Sequence, residues 1–241
     1  MQMRRSILIV PTVLIAIAGI AWFAFLRLEP ARMDYDVHGI DVSHHQGAID
    51  WPSVAKTGAA FVFMKATEGG DFIDPRFAAN WRDAGKAGLL RGAYHFFSQC
   101  RPGLKQAENF ISAVPDDPAA LPPVIDAEHM GPCTYGKQVT NVAVEIRVML
   151  DRLAKHYRKR PVIYTTTEFH DAYLAKGFDD ERFWIRSIVT PPGIRKDTWL
   201  FWQYHFRGSR AGIDGPVDLN VFRGNREELA ALARPGGKSK Q

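Results

Sequence analysis

The stretch Val124-Ile125-Asp126-Ala127-Glu128-His129 starts apolar and ends in charge. Its β-branched opening predicts a strand over residues 122–129. Residues two apart on a strand point the same way, so Asp126 and Glu128 share one face. The same gradient returns in Gly39-Ile40-Asp41-Val42-Ser43, in Lys65-Ala66-Thr67-Glu68 and in Tyr164-Thr165-Thr166. Gln203, Asp218 and Asn220 stand in later strand-like runs. A barrel fills its lower and middle layers with apolar side chains and gathers functional groups at one mouth. Repetition of this gradient is therefore a barrel signal, and it brings four carboxylates, Asp41, Asp126, Glu128 and Asp218, to that mouth.

Outward from that stretch, strands predicted at 37–43, 60–67, 90–97, 122–129 and 160–166 alternate with helical segments at 50–59, 77–88, 103–114 and 140–157. In the last of these Val144, Val148, Leu150 and Leu153 mark an apolar face, and Thr140 or Asn141 supplies a cap. A shorter helical piece at 167–176 precedes strands at 182–188, 199–206 and 216–222, with no clear helix between them; a final helix covers 225–234. The predicted fold is α/β: an irregular, TIM-barrel-like (β/α) barrel of eight strands, with helices mainly after the first five. An open doubly wound sheet would carry a phosphate-binding turn, and no G-x-G-x-x-G or G-x-x-x-x-G-K-[ST] follows any strand.

The 241 residues are 46% hydrophobic and 24% charged, which excludes disordered and collagen-like classes and leaves enough apolar material for one large core. A net charge of +5, from 31 basic and 26 acidic residues, is too balanced to imply a nucleic-acid partner. The basic run Lys155-His156-Tyr157-Arg158-Lys159-Arg160 reads instead as a solvated helix end that complements the helix dipole. Two cysteines exclude a cysteine-rich scaffold.

The N-terminus is different in kind. From Ile7 to Leu26 only Pro11, Thr12 and Gly19 fall outside the apolar set, and no charge appears. Such a run, as a helix, spans a hydrocarbon core of about 30 Å. Arg4 and Arg5 precede it, so a single-pass inner-membrane anchor with a cytoplasmic N-terminus and an extracytoplasmic main domain is expected. A cleaved secretory signal is the alternative, although bulky Trp22-Phe23-Ala24-Phe25-Leu26 stands where a peptidase favours small residues. The expected organisation is an anchor over 1–26, a linker over 27–36, a catalytic barrel over 37–234 and a basic tail over 235–241. In an oxidising compartment, Cys100 and Cys133, in loops after neighbouring strands, are expected to form a disulfide.

Crowded carboxylates suit glycoside cleavage, because like charges push one pKa upward and keep an acid protonated near neutral pH. That acid meets the leaving oxygen while a second group stabilises the oxocarbenium-like centre. A lone D-x-E on a strand is nonetheless common, and an acidic cluster also suits a divalent metal. His44, His45, His95 and His129 lack the spacing of zinc ligands such as H-E-x-x-H, and no metal or other cofactor is expected. Tyr94, Tyr164 and Trp184 are candidate sugar platforms, while alternation leaves Phe97, Trp202 and Tyr204 equally suited to the core. Lys65, Gln203 and Asn220 complete the expected substrate-binding set.

Gly39-Ile40-Asp41-Val42-Ser43-His44-His45-Gln46-Gly47, Phe63-Met64-Lys65-Ala66-Thr67-Glu68-Gly69, Gly92-Ala93-Tyr94-His95-Phe96-Phe97, Asp126-Ala127-Glu128 and Val217-Asp218-Leu219-Asn220 together resemble the glycoside hydrolase family 25 lysozymes. The resemblance spans essentially all of 37–222. It implies a muramidase that acts on peptidoglycan glycan strands, cleaving the β-1,4 bond between N-acetylmuramic acid and N-acetylglucosamine; a monomer is expected, and retention of configuration, through a carboxylate pair about 5 to 5.5 Å apart or through the acetamido group. By the same resemblance Glu128 is the general acid and Asp126 supports the oxocarbenium centre or a participating 2-acetamido group. Asp41 and Asp218 orient the sugar and tune that pair. The chain departs from the family around Phe183-Trp184-Ile185-Arg186-Ser187-Ile188, where a small residue often stands in place of Arg186 and an aromatic near Ile188. A glycan-binding pseudoenzyme and a metal-dependent barrel hydrolase are the competing functions.

Overall fold

A computed structural model describes residues 11, 13–22, 34–133, 138–188, 190–196 and 198–234. Among the described residues nine strands form a single sheet: β1 (Val37–Val42), β2 (Phe61–Glu68), β3 (Phe72–Ile73), β4 (Leu90–Phe96), β5 (Val124–Ala127), β6 (Val162–Thr166), β7 (Arg182–Arg186), β8 (Trp199–Gly208) and β9 (Val217–Phe222). Their order is β1-β9-β8-β7-β6-β5-β4-β2-β3, and a further β1–β2 pairing closes eight of them into a barrel. The two-residue β3, absent from the sequence reading, folds back antiparallel on the end of β2.

Strand direction departs from a regular (β/α) barrel at one place. β9 runs antiparallel to both β1 and β8, while every other barrel pairing is parallel. The cause is local: only residues 209–216 separate β8 from β9, too few for the dozen or more that a parallel crossover needs. Reversal turns β9 over, so its first residues lie at the mouth where the other strands end.

Two apolar layers hold the barrel. Inside it, Phe61, Phe63, Tyr164, Trp184, Phe201 and Phe222 form one cluster, in which Phe63 stacks on Trp184 with ring centroids 4.9 Å apart. Burying each such ring stabilises the fold by roughly 1.5–3 kcal/mol. The lumen is full: a Cβ added at Gly39 would lie 2.5 Å from the Phe61 ring, and one at Gly92 would lie 2.3 Å from the Phe63 ring. Outside, alternate strand residues such as Ile40, Val62, Ile125, Ile163 and Ile185 meet the surrounding helices. Phe97, Trp202 and Tyr204 belong to this outer layer, away from the lumen.

Those helices are Trp51–Lys56, Phe77–Lys86, Gly103–Ala113 and Val142–Tyr157, each after one of the first four barrel strands. After β6 there is only a short turn, Thr167–Phe169, continued by a π-helical His170–Leu174, and Arg226–Ala233 follows β9. Asn141 caps Val142–Tyr157 by accepting from the Val144 N–H. The apolar face expected there needs correction. Val142, Ile146, Met149, Leu150, Leu153 and Tyr157 are buried, whereas Val144 and Val148 are exposed. At 3.6 residues per turn the buried set forms one stripe and the two valines lie off it.

The basic run at this helix end is tied down internally. Lys159 donates to the carbonyls of Asp117, Pro118 and Ala120, Arg158 pairs with Asp116, and Arg160 pairs with Asp151 and Glu181.

At the N-terminus, residues 11 and 13–22 are helical and exposed. The rest of the apolar run at 7–26, linker residues 27–33 and the tail at 235–241 lie outside the described residues. Among the described residues no helix is long and apolar enough to cross a membrane.

Candidate active site

Asp41 on β1, Asp126 on β5, Glu128 immediately after β5 and Asp218 on β9 line one open cavity of about 270 Å³. Lys65, Tyr94, Phe96, Tyr164, Trp184, Arg186, Gln203 and Phe206 complete the wall that carries its chemistry. Alternation explains most of these positions, because the residues inward of each strand are the next ones up from the aromatic lumen. Two irregularities explain the rest. A register shift between Lys65 and Thr67 on β2 turns Thr67 outward, where its hydroxyl meets His95 Nδ1 at 2.7 Å. Glu68 then returns to the side of Lys65, whose Nζ donates to its Oε2 at 2.6 Å. The second shift, between Gln203 and His205 on β8, precedes Phe206 at the rim.

Asp41 is the centre of a buried hydrogen-bond network. Its Oδ2 accepts from Asn220 Nδ2 at 2.7 Å and from Gln203 Nε2 at 3.0 Å. Gln203 Oε1 in turn accepts from the Tyr164 hydroxyl at 2.9 Å, and Asn220 Oδ1 accepts from Trp184 Nε1 at 2.9 Å. Each amide is held at both its nitrogen and its oxygen, which fixes both amide orientations. Asp218 lies opposite Asp41 in the β1–β9 ladder, and the two carboxyls share a hydrogen bond. Burial raises Asp41 to about 6 despite the donors on it. Burial, followed by the charge of Asp41, raises Asp218 to about 9. At neutral pH the pair holds one proton, carried by Asp218.

Asp126 and Glu128 form the second pair. Burial, then the charges of Glu128 and Asp41, push Asp126 well above the carboxylate range. Its Oδ1 is buried with no hydrogen-bond partner. Burial also raises Glu128, against the opposing pull of Arg186 and Lys65. Arg186 Nη1 donates to Glu128 Oε2 at 3.2 Å. Four carboxyls at one mouth thus hold fewer than four negative charges, and the protons they retain are the resource for acid catalysis.

The expected binding residues divide. Tyr94, Tyr164, Lys65 and Gln203 reach the cavity, although Gln203 and Tyr164 are largely committed to Asp41. Trp184 is the floor: it is 2% exposed and stacked on Phe63, so little ring face remains for a sugar. Asn220 needs correction as a binding residue. It is wholly buried and acts through Asp41, one layer beneath the cavity. Phe96 and the exposed Phe206 present ring surface instead. Phe206 was hidden in the sequence because the β8 irregularity reverses its facing.

The histidines have structural partners. His95 bridges Thr67 and Gln106, its pKa lowered to about 4 by burial. His44 hydrogen-bonds Asp74 through both backbone and ring. Among the described residues, no three His, Cys, Asp or Glu side chains are grouped to hold a metal ion. Cys100 and Cys133 form a disulfide with Cα atoms 5.7 Å apart, tying the loop after β4 to that after β5.

A closed barrel with this acidic mouth is the architecture of a carbohydrate-cleaving enzyme, and comparison with known proteins agrees. The family profile described as glycosyl hydrolases family 25 matches residues 40–213, and the chain belongs to that family. It is 39% identical to Lysozyme M1 of Streptomyces globisporus over 212 residues, which cover 82% of this chain and 71% of the relative. A family 25 glycosyl hydrolase structure from Bacillus anthracis superposes with a TM-score of 0.75 at 41% identity, covering 82% of this chain and 93% of the other. The bacterial lysozyme of Streptomyces coelicolor does so with a TM-score of 0.73 at 36% identity, covering 82% and 96%.

Proposed function

We propose that this chain hydrolyses peptidoglycan, cleaving the β-1,4 bond between N-acetylmuramic acid and N-acetylglucosamine with Glu128 as general acid. The observation that carries the reading is the division of labour among the carboxyls. Asp41 is enclosed by its donors, and Asp218 keeps its proton and turns it toward Asp41 in a hydrogen bond. Asp126 is buried, whereas the Glu128 side chain keeps 22% of its surface open. Arg186 occupies Glu128 Oε2, which leaves Oε1 to carry the proton toward a glycosidic oxygen.

Asp126 has the complementary role. Its unpartnered Oδ1 suits the N–H of a 2-acetamido group, turning that group's carbonyl toward the anomeric carbon. Attack from there gives retention of configuration. Asp41 and Asp218 orient the sugar and hold the local charge constant. Lysozyme M1, a relative at 39% identity, supports the same substrate class. The apolar run at 7–26 behind Arg4 and Arg5 supports a membrane tether, or a cleaved leader, that delivers residues 37–234 outside the cytoplasm. Protease added to intact spheroplasts checks that topology, since a shielded barrel contradicts it.

Mass spectrometry of purified peptidoglycan after digestion tests the reaction itself. Fragments ending in reducing N-acetylmuramic acid are expected; reducing N-acetylglucosamine ends, or no fragments, contradict the assignment.

A further inference from the structure

Among the described residues, two cations, Lys65 and Arg186, line the cavity, and they differ in how open they are to a substrate. Lys65 is enclosed: its Nζ donates to Glu68 at 2.6 Å, and it lies 5.0 Å from the Phe96 ring centroid and 5.5 Å from that of Phe72. Its side chain is 12% exposed. Arg186 ends β7 one inward position above Trp184, and its side chain is 45% exposed. It meets Glu128 through a single nitrogen at 3.2 Å and lies near the Tyr164 hydroxyl. Arg82, by contrast, closes on Asp83 with two prongs, at 2.8 and 2.7 Å. A guanidinium has five N–H donors in a planar fork that matches a carboxylate. The Arg186 fork is therefore underused, and it faces an open cavity.

We propose that Arg186 is a specificity-determining residue that binds a carboxylate carried by the glycan, making acidic muramyl strands better substrates than neutral ones. The inference rests on the hydrolase reading above and deepens it. The carboxylate is either that of the muramyl lactyl ether or one on an attached stem peptide; both present the same planar anion. Engagement of the substrate by Arg186 also draws a positive charge away from Glu128. The ionised form of the acid then loses a stabilising partner at the moment when its proton is needed.

The test uses the purified full chain and four soluble substrates: peptide-free muramyl oligosaccharides, peptide-bearing strands, and each of these two with carboxylates methyl-esterified. The native chain is expected to lose about tenfold or more in kcat/KM on esterification, the scale of one charge-assisted contact. Loss with the peptide-free substrate assigns the lactyl carboxylate, and loss only with peptide-bearing strands assigns the peptide. Arg186→Gln is expected to bring the ratio close to one, and Arg186→Lys to keep part of it, because the charge survives without the fork.

Equal turnover of free and esterified substrates by the native chain overturns the assignment, as does discrimination that persists in Arg186→Gln. Calorimetric binding of the same oligosaccharides separates this result from failure of the hydrolase reading. Absent turnover with carboxylate-dependent binding that Arg186→Gln abolishes refutes the hydrolase and upholds Arg186. Binding indifferent to esterification refutes Arg186, whatever the turnover.

Discussion

Asp41 and Asp218 face each other across the antiparallel β1–β9 ladder and share a hydrogen bond. Nothing local in the sequence announces this, since the 176 residues between them, 42–217, must first close the barrel. Their joint proton makes the mouth sensitive to pH in a definite direction.

Asp218 rises from 3.8 in its ordinary state to about 9 in the fold, through burial and then the charge of Asp41. A carboxyl raised on folding contributes stability that is complete below about pH 4 and is lost as pH climbs through 9. Asp218→Asn keeps a donor toward Asp41 without a titrating proton. The variant is expected to match the native chain only near pH 3.5 and to melt progressively higher as pH rises, by at least about 3 °C at pH 9, given 2–4 °C per kcal/mol at this size. Thermal unfolding at pH 3.5, 6 and 9 measures it; a difference between the two chains that stays constant over all three values counts against a shared proton.

Glu128→Gln preserves shape but removes the transferable proton. Turnover of cell-wall fragments is expected to fall by about 10²–10⁴ while glycan affinity stays within a few fold. In the native chain kcat should decline as pH rises through the elevated Glu128 pKa, because the acid must be protonated. Steady-state kinetics across pH decides this, and near-normal turnover in the variant moves the acid role elsewhere.

Asn220 supports the site from below. Asn220→Leu removes the 2.7 Å donor from Asp41 and strands the buried Trp184 Nε1. Each unsatisfied group costs about 1–3 kcal/mol. A urea midpoint lowered accordingly, with the slope of the transition unchanged, is the expected result. An unaltered midpoint would mean that water replaces the amide.

The disulfide joins cysteines 33 positions apart. Closing a loop of that length in the unfolded chain is worth about 3–4 kcal/mol. The double variant Cys100→Ser, Cys133→Ser should lose that much in denaturant unfolding, and reductant should destabilise the native chain equally. Insensitivity to reductant would show that the bridge constrains little.

What the sequence determined by itself is what short-range periodicity controls. Two-residue alternation placed Asp126 beside Glu128 and set the inward aromatic ladder of Phe61, Phe63 and Tyr164, while three-and-four spacing located the helices. Local patterns suffice there because neighbouring residues on one strand or helix determine which way each side chain points. Only the tertiary structure decided the direction of β9, the outward turn of Thr67, the rim position of Phe206, the burial of Asn220 and the contact between Arg186 and Glu128. Each depends on a partner strand far away in the chain. A bulge or a reversed strand is set by how ladders register and how short a connection is, and a one-residue change of register moves every later side chain to the opposite face.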